Sequence, residues 1–308
     1  MAQTWFDRRT HAGRRWTVEE LLEAKRASGQ RLSVVIPARN EAATVGDVVG
    51  RIHEDFVRRC DLVDELVVID GESTDDTARI AAEAGATVHS LAAVRPELGT
   101  RVGKGEAMWK AQFVTTGDLI GFVDADLTEW DTHFVPSLFG PLLTDASVAL
   151  VKGFYERPFR SGSTDDPNGG GRATELVARP LLALARPELT AVVQPLAGEW
   201  AVRRSVYETL YVPIGYGVEL AALIDVADSL GLDAIAQVDL GRRAHSHQSL
   251  HDLGPMSVQL MAAVFKRIRQ AVPADVTLRQ FRAVAEGYAP VAHDIDVTER
   301  PPAVQVAR

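Results

Sequence analysis

Hydrophobic positions in this chain follow two rhythms. Leu32 to Ile36, Glu65 to Ile69 and Leu119 to Val123 are short, largely apolar runs, the pattern of strands buried on both faces of a parallel sheet. Between them apolar residues recur at helical spacing: Val45, Val48, Val49, Ile52 and Phe56 predict an amphipathic helix to about Arg59. Thr17-Val-Glu-Glu20 reads as a capping box opening a helix to about Ser28, with Gly29 as its stop. A further helix ends at Gly85, a short strand covers Thr87 to Ser90, and Gly103-Lys104-Gly105 opens a helix to about Thr115. Strand and helix alternating in this way predict βαβ units: an α/β protein with a mostly parallel, doubly wound sheet.

The second half is less regular. Strands are expected over Val148 to Tyr155, Glu199 to Arg203 and Ala234 to Leu240, and helices over Val218 to Ser229 and Pro255 to Ala271. Ser161 to Gly171 is rich in Gly, Ser, Asp and Pro and reads as a loop, and the helical pattern from Arg172 is interrupted at Pro180. The first sixteen residues read as a loose arm with Trp5, Phe6 and Trp16 available for docking. The tail from Val272 is mixed, with Glu299-Arg-Pro-Pro302 extended. No internal repeat and no linker divides the chain, which favours one domain with C-terminal helical additions.

The apolar run from Leu119 ends in acids. Asp124 and Asp126 are two apart, so in extended backbone both carboxylates can converge while Ala125 turns away. Two hard oxygen donors beyond a central strand could hold a divalent cation that keeps sites open for water or phosphate. The plain alternative is a turn or a helix cap, which Asp serves equally well.

Composition narrows the classes. The 308 residues carry 33 Lys plus Arg against 42 Asp plus Glu, and the net charge of -9 argues against a nucleic-acid binder. A single cysteine, Cys60, excludes an internal disulfide and suits a cytoplasmic location. Residues 1–15 lack the apolar core of a signal peptide, and no apolar run approaches the ~18 residues of a membrane span, so no stable membrane insertion is expected.

Two phosphate-binding patterns fail. A Walker loop needs Gly-x4-Gly-Lys-Ser/Thr, but Gly103-Lys104 is followed by Gly105 and the upstream position is Leu98. A dinucleotide fingerprint needs three glycines after the first strand, where this chain has Pro37-Ala-Arg-Asn-Glu41. Four features remain at strand ends or helix starts: Pro37 to Glu41, Asp70 with Ser73-Thr-Asp-Asp76, Gly103-Lys-Gly105, and Asp124-Ala-Asp126. This ordered set resembles the nucleotide-sugar-binding half of a GT-A type glycosyltransferase fold.

Downstream runs narrow the resemblance. Gly103-Lys-Gly-Glu-Ala107, Asp124-Ala-Asp-Leu127, Lys152-Gly-Phe-Tyr155 with Arg157-Pro158, Gly170-Gly-Arg-Ala-Thr-Glu175, Gly198-Glu199 and Arg243-Ala-His245 occur in order. From about Leu32 to Met256, with the closing Glu299-Arg-Pro-Pro302, they resemble actinobacterial glucosyl-3-phosphoglycerate synthases and the related mannosyl-3-phosphoglycerate synthases.

The resemblance implies metal-dependent, retaining transfer of glucose from UDP-glucose (alternatively a hexose from a GDP-sugar such as GDP-mannose) to 3-phosphoglycerate, by a homodimer using Mg²⁺ or Mn²⁺. It implies that Pro37, Ala38, Asn40 and Glu41 line the base and ribose site, with Ser73 near the uracil. Lys104, Asp124 and Ala125 meet the donor, and Tyr216 and Glu219 face its sugar. Asp126, His245 and Asp124 form the metal group, and Asp126, Glu219 and Lys104 the catalytic group. Gly171, Arg172, Thr174 and His247 fall to the acceptor. The chain divides on this view into an arm and helix (1–30), a nucleotide-sugar half (31–127), an acceptor half (128–272) and an extension (273–308). Where the family continues with Arg and Asn after the histidine, this chain has Ser246, His247 and Gln248, which leaves the acceptor more open than the donor.

From the residues alone, alternatives stay open. Lys104 between two glycines at a helix start suits phosphate, or is a solvated lysine. Gly169 to Gly171 before Arg172 forms an anion pocket or a loop tip. Glu219 faces a polar cavity or sits exposed in a first helical turn. His245 is a ligand for Mn²⁺, or one of eight histidines whose neighbours Arg242, Arg243, His247 and His251 form a basic rim. Leu98-Gly-Thr-Arg101 prompts a nucleotidyltransferase reading, Lys266, Arg267 and Arg269 a polyprenyl-phosphate transferase at a membrane surface, and a non-catalytic sugar-nucleotide sensor is the reading from a different class.

Overall fold

The structure, a computed structural model, describes residues 2–156, 159–161, 164–166, 171–243, 250–284 and 287–306. Its strands are β1 (Thr10–Ala12), β2 (Leu32–Ala38), β3 (Glu65–Asp70), β4 (Thr87–Ser90), β5 (Leu119–Phe122), β6 (Leu150–Glu156), β7 (Phe159–Ser161), β8 (Thr164–Asp166), β9 (Trp200–Arg203), β10 (Val212–Pro213), β11 (Ile235–Arg242), β12 (Val276–Ala283), β13 (Tyr288–Ile295) and β14 (Glu299–Arg300). Its α-helices are α1 (Ala2–Arg9), α2 (Val18–Ser28), α3 (Val45–Ile52), α4 (Thr77–Glu83), α5 (Lys104–Ala111), α6 (Phe134–Thr144), α7 (Arg179–Ala185), α8 (Arg204–Tyr207), α9 (Val218–Leu230) and α10 (Leu250–Arg267).

Eight strands form the central sheet in the order β1-β11-β6-β9-β5-β2-β3-β4. All neighbours are parallel except β9, which runs antiparallel to both β5 and β6. The apolar runs are the interior strands: β5 is buried throughout, and β2 and β3 in all but one position each. Successive β2 residues feed opposite layers, with Val34 and Ile36 in the core shared with α2, α3 and α6, and Val35 in the core shared with α5, α7 and α9. Both layers are apolar, so the strand sequences do not alternate.

Local signals act as expected at α2. Thr17 accepts from the Glu20 amide, the Glu20 side chain accepts from the Thr17 amide, and Gly29 ends the helix at φ 69°.

Other expectations need correction. The first residues are not a loose arm: α1 packs Trp5 to 2 % exposure, its indole N–H donates to the Leu232 carbonyl, and β1 adds an edge strand beside β11. No expectation covered α6, whose Pro136 and Pro141 obscure a helix buried at nine of its eleven positions. Pro180 does not interrupt a helix; a π turn over Thr174–Ala178 leads into α7, and the proline occupies its first turn, where it is tolerated. α10 starts at Leu250 and contains Pro255 rather than beginning there. The expected loop after Ser161 includes the hairpin β7–β8, and the tail holds the hairpin β12–β13, so the C-terminal addition is a helix plus a hairpin.

Candidate active site

The sheet reverses direction of winding between β5 and β2, and a crevice opens beyond the carboxyl ends of two strands that part in this way. A cavity of about 560 Å³ lies there. Pro37, Ala38 and Glu41 reach it from the end of β2, and Asp124, Ala125 and Asp126 from the end of β5. Gly103 and Lys104 come from the start of α5, Tyr216 and Glu219 from the start of α9, and Gly171, Arg172 and Thr174 from the turn before α7.

Asp124 and Asp126 converge, although β5 ends at Phe122 and Ala125 sits in a bend that lines the same cavity instead of turning away. Arg243 marks the meeting point. Its Nη2 donates to Asp124 Oδ2 at 2.9 Å and to Asp126 Oδ1 at 2.8 Å. Its Nη1 donates to Glu199 Oε2 at 2.9 Å and to the Tyr155 hydroxyl at 2.6 Å. Arg243 is 1 % exposed and Glu199 wholly buried, so this is an interior ion cluster and not the basic rim considered from the sequence. A register shift in β11 between Asp239 and Arg242 turns the chain just before Arg243, which is how the side chain leaves the sheet for the cavity.

Lys104 forms the second bridge. Its Nζ lies 2.6 Å from Asp124 Oδ1 and 2.9 Å from Glu219 Oε1. Glu219 is 4 % exposed and faces the cavity, which resolves the choice left open by the sequence. Burial opposes the Lys104 charge, but Asp124 and Glu219 outweigh it and hold the ammonium above the ordinary lysine range. Burial likewise pushes the Asp124 carboxyl up, and Lys104 and Arg243 more than reverse it, keeping Asp124 ionised. Lys152 is pushed down to about 8 by burial, and donates to the Ala197 carbonyl at 2.6 Å. That bond anchors the turn carrying Gly198, whose Cα packs so closely on the Asp124 carboxylate that a Cβ there would collide with it.

Asn40 and Ser73, expected at the base and ribose, are not among the cavity-lining residues. They lace two loops together: the Asn40 amide donates to Ser73 Oγ at 2.9 Å, and Asn40 Oδ1 accepts from the Thr74 amide at 2.8 Å. His245 and His247 lie outside the described residues. Asp124, expected as a metal ligand, has both oxygens engaged by Lys104 and Arg243.

The donor set still suits a hard cation. Asp126 gives one oxygen to Arg243, and its other oxygen has no hydrogen-bond partner among the described residues. Glu41 is pushed up to about 7 by burial, then by Asp126, Asp124 and Asp75, a surplus of negative charge that a cation would relieve. Among the described residues no group of three His, Cys, Asp or Glu could cage an ion. The site fits a cation completed by water and substrate phosphate.

Sequence reasoning missed Arg243 and Glu199 as members of the site, although both stand in runs that carried the resemblance. An arginine near histidines and other arginines reads as surface until a buried acid is placed beside it.

Known proteins are similar to this chain in sequence and in fold. The family model for glycosyl transferase family 2 matches residues 33–208. Glucosyl-3-phosphoglycerate synthase of Mycolicibacterium smegmatis is 47% identical over 302 residues, 98% of each chain. The enzyme of the same name from Petrotoga mobilis is 41% identical over 270 residues, 88% of this chain and 83% of its own. The crystal structure of glucosyl-3-phosphoglycerate synthase from Mycobacterium tuberculosis with Mn²⁺, UDP and phosphoglyceric acid superposes with a TM-score of 0.87 at 44% identity, over 96% of this chain and 98% of that one. Another structure of that enzyme holds Mn²⁺, UDP and glucosyl-3-phosphoglycerate, with a TM-score of 0.86. With the GT-A fold, the paired aspartates and the ordered motifs in place, the chain belongs to the glucosyl-3-phosphoglycerate synthases of glycosyl transferase family 2.

Proposed function

We propose that this protein transfers glucose from UDP-glucose to the hydroxyl of 3-phosphoglycerate, with retention of anomeric configuration and dependence on Mg²⁺ or Mn²⁺. The observation that carries the reading is the Lys104 ammonium bridging Asp124 and Glu219 on the cavity wall, in a chain 47% identical to a synthase of that name. Asp126 would hold the cation, with His245 as the family's second ligand. When bound, that cation supplies positive charge against the diphosphate as the sugar departs.

The chain's own groups do the rest. Lys104, at the N-terminus of α5, presents an ammonium and nearby backbone amides to phosphate. Asp124 keeps that ammonium charged and aimed. Pro37, Ala38 and Glu41 border the nucleoside, with Asn40 and Ser73 fixing their loops. Tyr216 and Glu219 face the hexose. Gly171, Arg172 and Thr174, with His247, receive the acceptor, where an arginine fork suits phosphate or carboxylate.

Glu219 is committed to Lys104 and is poorly placed to act as a nucleophile. This supports a same-face route: the bond from C1 to the diphosphate oxygen breaks, the acceptor oxygen bonds to C1 on that face, and the acceptor proton passes to the departing phosphate. The reading includes a cytoplasmic homodimer and the four-part division at residues 30, 127 and 272. No helix among the described residues is long and apolar enough to cross a membrane.

The test is a donor-by-acceptor matrix of UDP- and GDP-hexoses against 3-phosphoglycerate, glycerate and other phosphorylated acids, with Mg²⁺ and Mn²⁺. UDP-glucose with 3-phosphoglycerate should give glucosyl-3-phosphoglycerate and UDP. Preference for GDP-mannose, pyrophosphate release from UTP, or UDP binding without turnover on any acceptor would each replace the reading.

A further inference from the structure

The closing Glu299-Arg300-Pro301-Pro302 run is not among the residues lining the cavity, yet its contacts lead to it. β14 pairs antiparallel with β10, placing Arg300 opposite Val212 and Glu299 opposite Pro213. From there the Arg300 guanidinium crosses to the segment that opens α5. Its Nε and Nη2 donate to Oε2 and Oε1 of Glu106 at 2.7 and 2.6 Å, a bidentate pair on a wholly buried carboxylate. Its Nη1 and Nη2 also donate to the carbonyls of Leu98 and Gly99, at 2.9 and 3.1 Å. The guanidinium carbon stands 5.0 Å from the centre of the Trp109 ring, and Trp109 donates in turn to the Pro301 carbonyl at 2.8 Å.

Lys104 lies between the points that Arg300 holds, with Leu98 and Gly99 ahead of it and Glu106 behind. The other side of this segment rests on the chain around β10. The Glu106 amide donates to the Ile214 carbonyl at 2.9 Å, and a Cβ at Gly103 or Gly105 would collide with the Ile214 or Pro213 carbonyl. That same stretch continues through Tyr216 to Glu219, the other partner of Lys104. The C-terminal strand therefore braces both ends of the Lys104–Glu219 pair.

We infer that Arg300 is a positioning residue for the nucleotide-sugar site, setting where Lys104 stands to meet the donor diphosphate. The inference rests on the proposed donor chemistry. Lysine carries its charge on a flexible four-carbon stem, so the precision of its contact depends on how firmly its backbone is anchored. An arginine fork gripping one carboxylate and two carbonyls is such an anchor.

Arg300→Lys keeps the charge and loses the fork. Arg300→Met combined with Glu106→Gln removes the guanidinium without stranding a buried carboxylate. Each is compared with the wild type in thermal unfolding, in calorimetric binding of UDP with Mg²⁺, and in KM for UDP-glucose and 3-phosphoglycerate. Both variants should unfold cooperatively, bind UDP about tenfold more weakly and raise the donor KM to match, with the acceptor KM within about twofold of wild type. UDP affinity within about twofold of wild type in either folded variant overturns the inference. So do equal rises in both KM values, or failure of Arg300→Lys as well as the double variant to fold, because Arg300 then serves the fold at large. A wild-type protein that does not bind UDP overturns the proposed function itself.

Discussion

Arg243 donates to Asp126 at 2.8 Å from 117 residues further along the chain. The carboxylate assigned to the cation is thus oriented in advance by a buried arginine. With Asp126→Ala the cation would lose its one described ligand that is not fully engaged, and transfer should be abolished with Mg²⁺ or Mn²⁺ present. Full activity of this variant without added metal, measured as UDP release, would contradict the mechanism.

Arg243 also neutralises Glu199, which is 0 % exposed. Burial already pushes the Glu199 carboxyl up, and removing the guanidinium would leave that charge unpaired in the interior. Arg243→Met should destabilise the protein by about 3–5 kcal/mol in urea unfolding, the range for breaking a buried ion pair. Adding Glu199→Gln should recover part of that loss. A single variant as stable as wild type would show that the cluster carries no such load.

Glu41 gives a pH dependence whose sign can be worked out. Its carboxyl is pushed from 4.5 to about 7 in the folded chain, chiefly by burial and then by Asp126 and Asp124. The native state therefore holds this proton more tightly than the unfolded chain. The stability it contributes is complete below about 4.5 and is lost as pH rises through about 7. Glu41→Gln should gain melting temperature relative to wild type across that window. A difference that stays constant from pH 4.5 to 8 would refute the shift.

Much of the scaffold was legible because the relevant signals are local. A strand buried on both faces needs an apolar run, and β2, β3 and β5 supply it; a helix entry needs its amide partners within one turn, and Thr17 with Glu20 supplies them. Elements without such signals were missed. β1 is three residues long at a sheet edge, and α6 carries two prolines inside an apolar run. The hairpin β12–β13 leaves Phe281 and Tyr288 largely exposed, so its strands lack a clean apolar face.

By itself the sequence placed Asp124 and Asp126 two apart beyond a central apolar run, where extended backbone would let both carboxylates converge. That they meet across the bend at Ala125 is seen only in the structure, where Arg243 bridges them. The sequence also placed Lys104 between two glycines at the start of an expected helix; that the glycines let the Pro213 and Ile214 carbonyls approach is a finding of the structure. The tertiary structure alone decided how the charges pair: Lys104 with Asp124 and Glu219, Arg243 with both aspartates and Glu199, and Arg300 with Glu106. These partners come from distant segments and are held where water is excluded. Which acid neutralises which base there is set by packing and burial, which periodicity along the chain does not encode.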